Sequence, residues 1–191
     1  MALKKAAKKA VKKMAKKAAK KAAKKGGKHS PSGELRRAYE HLGRLEVLQD
    51  ALPEATVTPI NALTAMARGS LQLGDTRSAA DLLRACEHLA FGALASVRRE
   101  TQIGDDLQAA IDEEYEHLIE RAAEHWDEQE EEPSAALASI YETTFAAAET
   151  AYAKGAFRRA LELARGTEAM SHVRLQTGQL EAGGEVRRLK R

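Results

Sequence analysis

Lysine pairs recur every fourth residue near the start of the chain: Lys4 and Lys5, Lys8 and Lys9, Lys12 and Lys13, Lys16 and Lys17, Lys20 and Lys21, Lys24 and Lys25. Lys28 follows after a Gly26-Gly27 break, and the first 28 residues contain these 13 lysines and no acid. Ammonium groups at this density, with no carboxylate to neutralise them, bind polyanions, and nucleic acid is the leading candidate. No Phe, Tyr or Trp interrupts the run, so it offers no platform for base stacking. Nothing in it can read base edges as a folded motif would. The expected chemistry is phosphate binding without sequence choice, to DNA first and to RNA or another polyanion otherwise.

Two other spacings could do chemistry. Glu114 and His117 form a Glu-x-x-His on a helix, the half-site used in di-iron bundles, which needs a second copy on a partner helix. No second copy exists. The Arg-x4-His spacing of Arg36 and His41 resembles that of HEPN-type ribonucleases, which are also helical. Together these two spacings give a third reading, a helical RNase or metal-binding protein, after the two binding readings below. The polar residue those motifs carry after the Arg is Arg37 here. No nucleophile elbow, phosphate loop or paired acid–base set occurs. The chain is therefore read as a non-enzyme with no catalytic residues, no cofactor and no metal. Most Asp and Glu fall on outer helix faces and read as solvation. His88 and His117 are expected at helix flanks beside Glu87 and Glu113.

The element that positions the lysines is an arm, residues 1–28. Ala and Lys favour helix, while Lys four residues from Lys opposes it. A four-residue repeat overshoots a helical turn by about 40°, so the pairs wind slowly around the axis, as tracking a phosphate backbone requires. Residues 29–33 form a breaker-rich hinge with His29 alone in it. The rest of the chain is of opposite charge. It carries 18 basic groups against all 28 acids, a net of −10 hidden beneath the overall +3. An acidic body is repelled by phosphate, so nucleic-acid contact should fall to the arm. It could also attract the arm, and that gives the competing reading: an interaction scaffold whose arm binds acidic protein surface.

No stretch approaches the length of a membrane span, and the arm is too poor in aromatics for deep insertion. The positive start lacks an apolar core region, so a secretory signal is not expected. Cys86 is the only cysteine, which fits a reducing, cytoplasmic location; if the DNA reading holds, the protein is nucleoid-associated.

The run KKAAKKAVKKMAKKAAKKAAKK resembles the lysine/alanine-rich tails of linker histones and bacterial histone-like, nucleoid-associated proteins. The resemblance covers about one seventh of the chain and implies DNA binding through Lys4 to Lys28. Those tails usually interleave Pro, and none precedes Pro31 here.

The body reads as helices throughout, an all-α fold. A first helix from about 34 to 52 places Leu35, Ala38, Leu42, Leu45, Leu48 and Leu52 on one stripe. Thr58-Pro59 reads as the start of a second, with Ile60, Leu63, Ala67 and Leu71 inward, closed by Gly74-Asp75. A third, about 76–100, carries Ala79, Leu82, Leu83, Cys86, Ala90, Ala93, Leu94 and Val97. The fourth, about 105–131, turns Leu107, Ile111, Tyr115, Leu118, Ala122 and Trp126 inward beneath an acidic outer face. After Pro133-Ser134, the fifth uses Leu137, Ile140, Tyr141, Thr144, Ala148 and Tyr152, ending at Gly155. The sixth, with Phe157, Ala160, Leu161 and Ala164, runs to about Gln176. Arg187, Arg188, Lys190 and Arg191 make a basic end.

The halves look duplicated. YEHL occurs at 39–42 and 115–118, and Pro53 then Gly74 are answered by Pro133 then Gly155 in the same order. This gives three-helix units at 34–100 and 101–178, then a basic tail at 179–191. The last two helices of each unit, ALTAMARGSLQLGDTRSAADLL and TFAAAETAYAKGAFRRALELAR, resemble tetratricopeptide-type hairpins. Small residues (Ala67 and Ala148, Ala79 and Ala160) stand at matching distances from each turn Gly. The repeats are not tandem at the usual period, and the early aromatic positions are missing. The resemblance implies a protein-binding groove. The expected architecture is an antiparallel bundle or two such hairpins, about six helices, with a body that holds a protein partner or self-associates.

Overall fold

The apolar stripes fold as amphipathic helices whose ends are set by local chemistry. The computed structural model describes residues 31–101, 103–129 and 132–173. These form α1 (Pro31–Leu48) with a 3-10 turn at Gln49–Ala51, α2 (Glu54–Gln72), α3 (Thr76–Leu94), α4 (Asp105–Asp127), α5 (Ala135–Ala153) and α6 (Phe157–Ser171). There is no strand among the described residues. The Asp75 carboxylate accepts the Ser78 amide at the start of α3, and the Ser134 hydroxyl accepts that of Leu137 at the start of α5, satisfying donors that lack an intrahelical partner. Both hairpin turns use a glycine at positive φ, Gly74 at 81° and Gly155 at 73°, a conformation that a Cβ disfavours.

Helix α3 packs against α1, α2 and α6, and α6 packs against α3, α4 and α5. The third helix of each unit is thus its centre, and the two centres meet. Arg84 reaches Glu168, Leu89 lies against Gly166, and Gly92 lies against Leu163. Numbers rise along one helix as they fall along the other, so α3 and α6 cross antiparallel. Gly166 approaches Ala85, and these residues stand 81 apart, as Gly74 and Gly155 do. Equivalent residues meeting at an antiparallel crossing define a pseudo-two-fold axis between the units.

One apolar cluster joins α1, α2 and α3 to Leu137, Tyr141, Ala169, Met170 and Val173. A second, smaller one gathers Tyr115 with small residues of α5 and α6 and with Leu163. Ala67, Ala79, Ala148 and Ala160 are all buried, and Leu63, Leu82 and Leu137 are fully so. Across the outer side of the second unit, Tyr115 stacks on Tyr152 at 4.0 Å and Trp126 on Tyr141 at 3.8 Å.

Several sequence expectations are corrected. Thr58-Pro59 does not start α2. Glu54–Val57 complete a turn first, behind an extended Pro53, and Pro59 sits inside the helix, where it forgoes one backbone bond. α1 begins at Pro31, inside the expected hinge, and stops at Leu48, and Leu35 is more than a third exposed. α3 stops at Leu94, not near Glu100, leaving Leu94 41% and Val97 67% exposed. The Arg159 guanidinium donates to the Gly92 and Ala93 carbonyls, taking over acceptors that a further turn would have used. Leu107 is 57% exposed. α4 has 23 residues and α6 15, so about 12 Å of α4 overhangs the helix it packs on. α6 ends at Ser171, short of Gln176.

A Cβ at position 166 would stand 2.6 Å from Leu89 Cδ1, and Leu89 is buried. Gly166→Val is therefore expected to cost about 2 kcal/mol by overpacking, read as a lower urea midpoint. An unchanged midpoint would show that the crossing relaxes freely.

Candidate functional site

The residues expected to bind nucleic acid all lie outside the described residues: Lys4, Lys5, Lys8, Lys9, Lys12, Lys13, Lys16, Lys17, Lys20, Lys21, Lys24, Lys25 and Lys28. So do His29 and the basic residues Arg187, Arg188, Lys190 and Arg191. The described body carries the opposite charge on its surface. Along α4, Asp105, Asp106, Glu113, Glu114, Glu116, Glu120, Glu124 and Asp127 are all exposed. α4 packs mainly on α6, which leaves its remaining circumference to present these carboxylates. Of the eight, only Glu114 has a basic partner among the described residues, Arg165.

Three carboxylates turn inward instead of solvating the surface, exceptions to the reading of most acids as outer-face residues. Glu34, Glu87 and Glu168 are buried. Glu87 on α3 accepts from Arg44 of α1 at 2.9 Å and from the His41 ring. Glu168 on α6 accepts from Arg121 of α4 at 2.9 Å, from His172 at 2.8 Å, and from Arg84 across the unit boundary. Burial raises the Glu168 pKa, but the His172 hydrogen bond and the charges of Arg84, His172 and Arg121 outweigh it and hold the carboxyl at about 2. Burial also works against ionised Glu87, where the hydrogen bonds from His41 and Arg44 prevail and lower its pKa. Glu162 follows the same logic: burial raises its pKa, and His88 and Arg165 outweigh that and lower it. His88 thus pairs with Glu162 at 2.8 Å, not with Glu87. His117 is exposed and has no polar partner among the described residues.

The remaining constellations stand as follows. Glu114 pairs with Arg165 rather than acting with His117. No group of three or more His, Cys, Asp or Glu among the described residues is arranged to hold a metal. Arg36 is 77% exposed beside Glu40, while His41 turns in to Glu87, so the two residues serve separate contacts. Cys86 is fully buried and burial pushes its thiol up to about 12, which keeps it a protonated core residue. No helix among the described residues is long and apolar enough to cross a membrane.

The buried carboxylates had a signal in the sequence. DLLRACE at 81–87 and ELARGTE at 162–168 share acid, Leu, Arg and Glu at the same places, 81 residues apart. The first-to-third-helix pair is made in both units, Arg44 with Glu87 and Arg121 with Glu168.

The described chain is an all-α bundle of six helices. Comparison with protein-family models, with curated proteins and with solved structures gives no match.

Glu168 has a folded-state pKa below its ordinary value, so the native state holds fewer protons than the unfolded one. Its stabilisation is present above about pH 5 and is lost as pH falls toward 2. Glu168→Gln is expected to cost on the order of 3 kcal/mol at neutral pH. It should also flatten the acid limb of stability against pH, measured by denaturant titration at a series of pH values. A variant with an unaltered acid limb would contradict the assignment.

Proposed function

We propose that this chain associates with nucleic acid, DNA first, through its lysine-rich arm and without sequence choice. The acidic helical body serves as a protein-interaction or self-association module. One observation carries the reading: 13 lysines and no acid in the first 28 residues, joined to a body of net charge −10. The exposed carboxylates of α4 support it, because such a surface repels a phosphate backbone and leaves the arm as the part that can hold one. The lysine/alanine likeness to histone-like tails points the same way, and with it a nucleoid-associated, cytoplasmic location. The paired helical hairpins, with Ala67, Ala79, Ala148 and Ala160 buried at their crossings, support the tetratricopeptide-like view of the body as a protein-binding scaffold. On this reading the protein is not an enzyme and takes no cofactor.

A second reading is favoured by the same acidic face: the arm engages acidic protein surface, its own or a partner's. The test is binding to random duplex DNA across a salt series, with the full chain and with a chain lacking residues 1–28. The full chain is expected to bind with log K falling against log salt at a slope near −5, for roughly six neutralised phosphates. The shortened chain is expected not to bind. If neither binds near physiological salt, the nucleic-acid reading fails and the acidic-surface reading takes its place.

A further inference from the structure

The two units share the ion pair between their first and third helices, Arg44 with Glu87 and Arg121 with Glu168, but differ in how their outer helix pairs are filled. The offset that relates Ala85 to Gly166 also relates Ile60 to Tyr141 and Thr64 to Phe145. The first helices are related by an offset of 77, as in Arg44 and Arg121. This is one more than the 76 that aligns the two YEHL segments, so Tyr39 is exposed where Tyr115 is buried. The offset of 77 relates Gln49 to Trp126. In the second unit these residues form one aromatic cluster between α4 and α5. Trp126 stacks on Tyr141 at 3.8 Å with the rings 5° from parallel, and Tyr141 lies 6.0 Å from Phe145. In the first unit, Gln49, Ile60 and Thr64 supply no ring. A cavity of about 120 Å³ opens there instead, between α1 and α2, lined by those three residues and Leu45.

That volume and lining define an occupant. A cavity of about 150 Å³ walled by aliphatic side chains takes a benzene ring. This one is slightly smaller, open on one side, and sets polar Gln49, Asn61 and Thr64 beside aliphatic residues such as Leu45 and Ile60. Its rim carries one charge of each sign, Glu46 and Arg68. Both are exposed and have no ion pair among the described residues. At the equivalent positions the second unit has Ala123 and Glu149, so the acid–base pair belongs to the open groove alone. We infer that the α1–α2 groove binds a free single-ring aromatic amino acid. The ring occupies the space that Phe145 and its neighbours fill in the other unit, the carboxylate meets Arg68, and the ammonium meets Glu46. Charge complementarity at the rim and the filled counterpart in the same molecule both support this occupant.

The test is calorimetric titration of the full chain with L-phenylalanine, with L-leucine as the control for apolar size without a ring. Saturable binding of phenylalanine at one site per chain is expected, with leucine at least tenfold weaker. Thr64→Phe places a ring in the groove as Phe145 does in the other unit, and should abolish binding while the helical circular dichroism is retained. Arg68→Ala and Glu46→Ala, both surface changes, should each weaken binding about tenfold. Absence of a saturable signal at millimolar phenylalanine overturns the inference, as does undiminished binding by folded Thr64→Phe. Charge-blocked N-acetyl-phenylalaninamide binding as tightly as the free amino acid also overturns it, and assigns the groove to an aromatic side chain of a polypeptide.

Discussion

Helices α3 and α6 approach closely because position 166 has no side chain, and most of the body's organisation follows from that approach. It seats Leu89 over Gly166 and Leu163 over Gly92, which fixes the antiparallel register. With the register set, Arg84 falls opposite Glu168 and Arg159 falls opposite the last carbonyls of α3. One ion pair is thereby made across the boundary and one helix is stopped. The connector after α3 is tied to the same place, since the Glu100 amide donates to the Gly155 carbonyl and its carboxylate accepts the Arg158 amide. A wider crossing would loosen all of these at once. Glu168 would keep Arg121 from its own unit but lose the charge that reaches it from α3.

Buried charge is costly unless fully partnered, so the inward glutamates say something about specificity. Glu87 is satisfied wholly from within its unit, by His41 and Arg44. Glu168 also takes Arg84 from the other unit. An apolar residue at 168 could bury well in many registers, but a carboxylate is tolerated only in the register that delivers its cations. The network therefore selects one way of docking the units. The same repeated framework then diverges in filling: stacked rings between α4 and α5, and open space among mixed aliphatic and polar residues between α1 and α2.

Much of this fold was legible in periodicity. The stripe through Ala79, Leu82, Leu83, Cys86 and Ala90 is buried along its length, and the Gly74 and Gly155 turns occur where glycine marks them, with the Asp75 cap beside the first. What periodicity cannot express is where a stripe runs out of partner. Val97 continues the pattern of α3 but lies beyond the end imposed by Arg159, a residue more than sixty positions away. Leu107 continues that of α4 but overhangs a shorter neighbour. Pro59 reads as a start because the signal is local, whereas the helix can absorb one lost bond in its second turn. The buried glutamates were missed for a different reason. A carboxylate near an apolar stripe looks like solvation until its cations are placed, and these come from helices distant in sequence. The recurrence of the acid-Leu-x-Arg-x-x-Glu pattern at 81–87 and 162–168 is the sequence signal that marks them.

The charge separation was legible from composition alone, and the body's geometry sharpens what it means under the proposed reading. An acidic total could be spread evenly or largely consumed by ion pairs. Here the inward glutamates take arginines and histidines as partners, while the outer face of α4 keeps carboxylates that, apart from Glu114, have no base among the described residues. The pairing thus concentrates uncompensated negative charge on one helix. Its field extends about 8 Å into physiological salt, far enough to oppose phosphate and to favour lysine. The arm proposed to hold nucleic acid would therefore experience two competing polyanions, one of them its own body. Both attractions weaken with salt, but only the one to nucleic acid releases a condensed counterion for each phosphate neutralised. A steep salt dependence would consequently be a property of the arm on nucleic acid and not of the arm on α4.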